Sequence, residues 1–188
     1  LRKGVRVIWN PMGPVKLDGS AFQTVDTGET KIAVGGSYMV NDNATEKATK
    51  GAATAGGATT VRGSATTGLE FQMLSGPFSV LAEVYRRDED RVGLPHQTDT
   101  GSTLQLGYFV VPNEWEIVGR VSQVDGDSKV ATPGLPSDVN ELTLGVNRYV
   151  DKHNAKWMFD LIKSSGRHEL AAFPSDNTQL RLQYQAIF

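Results

Sequence analysis

The chain has no cysteine. Disulfides, thiol catalysis and cysteine-based metal sites are therefore excluded. It also lacks a charge excess: 19 Lys and Arg stand against 21 Asp and Glu. A protein devoted to nucleic acid would carry a basic surplus, so no nucleic-acid partner is expected. No stretch approaches ~18 consecutive apolar residues, which excludes a membrane-spanning helix. No secretory signal is visible, because Leu1-Arg2-Lys3-Gly4 runs straight into a strand-like segment. Hydrophobic residues make up only 39% of the 188 residues, while Gly is plentiful at 20. Chemistry-bearing motifs are missing too. His96, His153 and His168 fall in loops or turns with no metal-ligand spacing between them. Asp125-Gly126-Asp127-Ser128 lacks the rest of a calcium loop and reads as a surface turn. No nucleophile elbow, zinc-protease helix motif or phosphate-binding loop occurs. No cofactor, no metal and no catalytic residue is expected.

What the chain does have is period two. In 179–188, Leu180, Leu182, Tyr184, Ala186 and Phe188 share one side, with Gln179, Arg181, Gln183 and Gln185 on the other. Alternation of this kind makes a strand with one apolar and one polar face. The same pattern recurs over 4–9, 30–40, 65–74, 79–88, 102–111, 115–124, 139–150 and 155–163. That predicts nine strands and no helix. The segment 10–29 stays open between one long turn and a weak strand over Lys16 to Val25.

The connections alternate in length. Ser75-Gly76-Pro77-Phe78, Pro112-Asn113-Glu114 and Asp151-Lys152-His153-Asn154 are short. The segments 41–64, 88–101, 125–138 and 164–177 are long, and 41–64 is of low complexity, dominated by Ala, Thr and Gly. Short turns at one end and long loops at the other, joined by strands of about 9–11 residues, predict an all-β, antiparallel up-and-down transmembrane β-barrel. A soluble sandwich would show shorter strands without the systematic alternation. In lipid every backbone donor and acceptor must be paired, so the sheet has to close.

Parity then separates a lipid side from a lumen side. The predicted lumen-lining residues are Arg6, Lys31, Arg87, Arg120, Lys156 and Arg181, with Glu70, Glu83, Glu116, Glu141 and Asp160. Facing Arg and Glu side chains either meet solute or pair with each other across the wall. Trp9, Trp115 and Trp157 lie near strand ends and are candidates for an aromatic girdle. Arg86, Arg148 and Lys163 fall on the apolar parity near strand ends, where their long stems suit snorkelling to headgroups or contact with lipopolysaccharide.

Several stretches resemble the phosphate-selective porin O/P family of Gram-negative outer membranes. They are Trp9-Asn10-Pro11-Met12-Gly13, Ser75-Gly76-Pro77-Phe78-Ser79 leading into Ala82-Glu83-Val84-Tyr85, Gly107-Tyr108-Phe109-Val110-Val111-Pro112, and Glu116-Ile117-Val118-Gly119-Arg120-Val121-Ser122-Gln123-Val124-Asp125. Glu141-Leu142-Thr143-Leu144-Gly145-Val146-Asn147, His153-Asn154-Ala155-Lys156-Trp157 and Leu180-Arg181-Leu182-Gln183 complete the set. The order and spacing cover most of 65–188.

The resemblance implies a sixteen-stranded, usually homotrimeric diffusion channel in the bacterial outer membrane, passing small hydrophilic solutes and anions such as phosphate. Nine strands are an odd number for a bacterial barrel. The expectation is therefore that 1–188 is one transmembrane β-barrel domain, incomplete at its N-terminus, with 41–64 as an extracellular loop. A complete barrel of eight or ten strands is the alternative. Outer-membrane proteins also resemble one another in ending on an aromatic residue, which marks Leu180, Leu182, Tyr184 and Phe188 as an assembly signal. Two other readings stay open: a structural or adhesive barrel binding a partner through its long loops, and a barrel enzyme acting on lipid.

Overall fold

A computed structural model describes residues 2–15, 20–42, 61–91, 96–126, 138–167 and 176–187. Nine strands follow in chain order: β1 Arg2–Trp9, β2 Thr30–Asp42, β3 Val61–Ser75, β4 Phe78–Arg91, β5 Gln97–Val111, β6 Trp115–Asp125, β7 Asp138–Asp151, β8 Ala155–Arg167 and β9 Asp176–Ala186. Each predicted strand is present, and several extend beyond their predicted ends. β2 and β3 reach into the predicted loop 41–64, taking Asn41, Asp42 and Val61–Ser64; what remains of it, 43–60, lies outside the described residues. The same holds for His168, for Asp127 and Ser128 of the acidic turn, and for the terminal Phe188.

The strands form one sheet in the order β1 to β9, every neighbour antiparallel. The sheet is a meander and is not closed on itself. The β3–β4, β5–β6 and β7–β8 turns share one end. Each contains one residue in the left-handed region: Gly76 (φ 52°), Asn113 (φ 63°) and Lys152 (φ 45°). Backbone hydrogen bonds lace this end together, as Gly76 N donates to Glu29 O, Phe109 N to Pro77 O, Tyr149 N to Glu114 O and Ile187 N to Asn154 O.

The two faces differ as parity requires. On the apolar face large side chains stand largely exposed: Val7 is 66% exposed, Leu69 65%, Leu144 54% and Leu180 85%. Adjacent strands carry these residues in register, so the exposed apolar surface is continuous (Leu104 opposite Val121, Val121 opposite Leu142). A surface of this extent is far larger than the apolar patches tolerated in water. The main buried apolar cluster lies on the other face, at the turn end. It consists of Ala21, Phe109 and Tyr149, with Phe22 and Val25 packed against it.

The segment between β1 and β2 makes that cluster. No strand forms between Ser20 and Val25; the chain takes about one helical turn, with Val25 N donating to Ala21 O and Gly28 N to Thr24 O. Gly28, at φ 70°, ends it as a left-handed cap. Lys16 to Gly19 lie outside the described residues.

Candidate pore wall

The eleven predicted lumen residues all fall on the polar face. Register fixes this: Arg6 lies opposite Ser37, Glu70 opposite Gly35 and Glu83, Arg120 opposite Thr143 and Gln105, Asp160 opposite Gly145 and Arg181. The four arginines are all committed to carboxylates. Arg6 forms a fork with Glu70, its Nε donating to Oε1 at 2.7 Å. Arg120 donates to Glu141 at 3.0 Å. Arg181 donates to Asp160 through Nε at 2.9 Å and Nη2 at 2.7 Å. Arg87 pairs with Glu89, two residues along the same strand and face, a partner that parity alone did not single out.

The lysines and remaining carboxylates complete the wall. Lys31 lies 3.9 Å from Glu29. Lys156 sits over the Tyr149 ring at 5.7 Å. Glu116 is almost fully buried; its Oε2 accepts from the Tyr149 hydroxyl at 2.6 Å and from Asn147 at 3.0 Å. Glu83 stands directly opposite Glu70 and shares a pocket with Arg6, Ser37, Gly68 and Tyr85. Two carboxylates facing each other repel unless a cation intervenes, and Arg6 supplies one.

Glycines on the polar face act as seats for these side chains. A Cβ on Gly35 would lie 2.2 Å from Glu70 Oε1, so the missing side chain lets Glu70 lean across β2 to meet Arg6 on β1. At Gly145 the neighbour is Asp160 Oδ1 at 2.6 Å. At Gly107 it is Ser79 Oγ at 2.4 Å and Glu116 Oε1 at 2.8 Å. Gly68 receives the Tyr85 ring in the same way. None of these roles was assigned from the sequence, though the Gly positions on the polar parity were visible there.

Trp9, Trp115 and Trp157 lie on the apolar face at the turn end of their strands. Trp115 opposes Arg148, Arg148 opposes Trp157, and Trp157 opposes Tyr184. The Arg148 guanidinium lies 5.4 Å from the Trp115 ring centre, and the Trp157 and Tyr184 rings are 4.6 Å apart. Phe78 and Tyr108 form a further ring pair at 4.6 Å. Arg86 and Lys163 belong instead to the long-loop half of β4 and β8, where Arg86 pairs with Asp88 at 3.2 Å. Leu180, Leu182 and Tyr184 line the apolar face of β9 and are exposed.

The sequence reading missed the residues of the turn-end cluster. Phe22 stacks edge-on against Phe109, Tyr149 and His153, with ring centres 4.8, 4.6 and 5.0 Å apart. A signal was present: Tyr108-Phe109-Val110-Val111 and Met73-Leu74 are apolar at both parities, which means that both faces are covered there. No group of His, Asp and Glu suited to a metal occurs among the described residues.

A helix-free antiparallel meander with an exposed apolar face and an ion-paired polar face is the wall of a transmembrane β-barrel. The family model of phosphate-selective porin O and P matches residues 12–188, and the chain belongs to that family. It is accordingly an outer-membrane porin, of a family of channels rather than enzymes, and its place is the bacterial outer membrane. No curated protein matches it in sequence.

Proposed function

We propose that these strands form part of a closed, water-filled barrel through which small hydrophilic solutes diffuse passively. The observation that carries this reading is the contrast between the faces: bare Leu, Val and Phe outward, and paired Arg and carboxylate inward. In lipid the edges at β1 and β9 need partners, so further strands complete the wall. The inner residues Arg6, Lys31, Glu70, Glu83, Arg87, Glu116, Arg120, Glu141, Lys156, Asp160 and Arg181 then line the water. Trp9, Trp115 and Trp157 belong to the aromatic girdle, and Leu180, Leu182, Tyr184 and Phe188 serve as the assembly signal. The apolar face takes lipid, and lipopolysaccharide meets the long-loop rim. A homotrimer is the expected assembly.

Family membership brings phosphate and other anions into scope as solutes. The chain's own residues support a broader pore. Among the described residues each wall arginine already pairs with a carboxylate, so these strands offer no bare basic ladder for an anion to descend. Conductance of the purified full-length protein in a planar bilayer tests the reading. Stepwise ohmic currents are expected; absence of ion current from a folded, inserted protein would overturn it.

A further inference from the structure

The segment 20–29 lies on the same face as the wall charges, at the turn end. Phe109 and Tyr149, which it covers, are 2% and 5% exposed, whereas their neighbours Val110 and Val150 on the opposite parity are 57% and 66% exposed. The segment is fastened to three successive turns. Thr24 Oγ1 donates to Gly76 O at 2.8 Å in the β3–β4 turn. Asn113 Nδ2, in the β5–β6 turn, donates to Asp26 at 2.8 Å. Ser20 Oγ and His153 Nε2, in the β7–β8 turn, share a hydrogen bond at 2.9 Å. Ala21 and Thr24 are fully buried, and the Phe22 ring sits among Phe109, Tyr149 and His153.

Side chains that are buried, ring-packed and hydrogen-bonded at three separate points hold a short segment in one place. A pore wall needs none of this for closure, since the turns are already laced by backbone hydrogen bonds. What the segment adds is bulk on the inner side of the mouth. Its outer turn, Asp26, Thr27, Gly28 and Glu29, is exposed. Two of those four residues are acidic: Asp26 accepts from the Asn113 amide, and Glu29 lies 3.9 Å from Lys31.

We propose that residues 20–29 form a fixed inward shelf that narrows the turn-end mouth and limits conductance there, with Phe22 as its anchor. This rests on the pore reading above. The test uses single-channel recording of the full natural chain; the 188 residues carry no cysteine, and any cysteine outside them is replaced by serine so that thiol chemistry is site-specific. Replacing 20–28 by a short turn is expected to raise conductance by roughly 1.5-fold or more. Thr27→Cys, which leaves the anchor intact, is expected to lose current on reaction with a bulky thiol reagent; Leu144→Cys, on the lipid side, is expected to keep it. If the unmodified protein conducts but modified Thr27→Cys carries undiminished current, or a folded shelf-less variant conducts as before, the shelf proposal is overturned and the pore stands. If the unmodified protein carries no current, the pore reading fails and takes the shelf with it.

Discussion

Gly35 owes its place to Glu70. A methyl group there would overlap both Glu70 Oε1 at 2.2 Å and Glu70 Cγ at 2.5 Å, so the carboxylate would have to leave its seat and with it the fork to Arg6. Its neighbour Gly36, on the lipid side, meets only ordinary contacts, the nearest being Leu69 Cδ2 at 3.8 Å. The two positions therefore make a matched pair differing in face alone. Gly35→Ala is expected to cost about 1–3 kcal/mol, as overpacking does, and Gly36→Ala close to nothing. Midpoints of urea unfolding in detergent or vesicles would measure both. Equal midpoints for the two variants would remove the seat from the account. The same reasoning extends to Gly107 and Gly145, which receive Glu116 with Ser79, and Asp160.

At the level of strands and turns, the nine elements were legible because each had to present one face to lipid and one to water, and period two records that demand directly in residues such as Leu180, Leu182 and Tyr184 against Arg181 and Gln183. The inner segment was not legible for the opposite reason. Ser20 to Gly28 is held by tertiary contacts with three turns distant in sequence, and one helical turn leaves no periodic trace. Ion pairing was only half visible: Arg181 and Asp160 sit opposite in register, but Arg6 and Glu70 meet across an intervening strand. The placement of all three tryptophans at the turn end gives a prediction. Fluorescence of the reconstituted protein is expected to be quenched most by lipids brominated near the headgroup, and least by those brominated near the chain ends. Quenching strongest at the chain ends would displace the girdle. At the other end, His96 precedes β5 and its Nδ1 lies 2.8 Å from Asp90, with Nε2 3.5 Å from Asp88. The hydrogen bond to Asp90 holds the imidazolium, raising its pKa above the ordinary 6.5. A raised pKa means that the contact stabilises the hairpin end fully below the unfolded value and is lost as pH rises through the folded one. An NMR titration of His96 is expected to fall back toward the ordinary histidine value in Asp90→Asn. An unchanged midpoint in that variant would exclude the pair as the cause.

These 188 residues are close to neutral, and so is the proposed inner wall, where six basic candidates face five acidic ones. On the pore reading such a wall is expected to be weakly selective by cancellation, not by absence of charge. The distinction is measurable, because removing one member of a pair exposes the field of the other. Asp160 is the sheltered partner, its side chain 13% exposed over Gly145, while Arg181 is half exposed beside it. Asp160→Asn releases the arginine's charge toward the pore and is expected to move the reversal potential in a salt gradient toward anions. Arg181→Gln releases the carboxylate and is expected to move it toward cations, and the double variant should return near the original value. The shifts should be clear at 0.1 M salt, where screening acts over about 10 Å, and shrink toward 1 M, where it acts over about 3 Å. A pore without charge on its path would leave both single variants at the wild-type potential. Opposite displacements that cancel in the double variant would require the pair to face the conducting water, and thereby fix which side of β8 and β9 is the lumen.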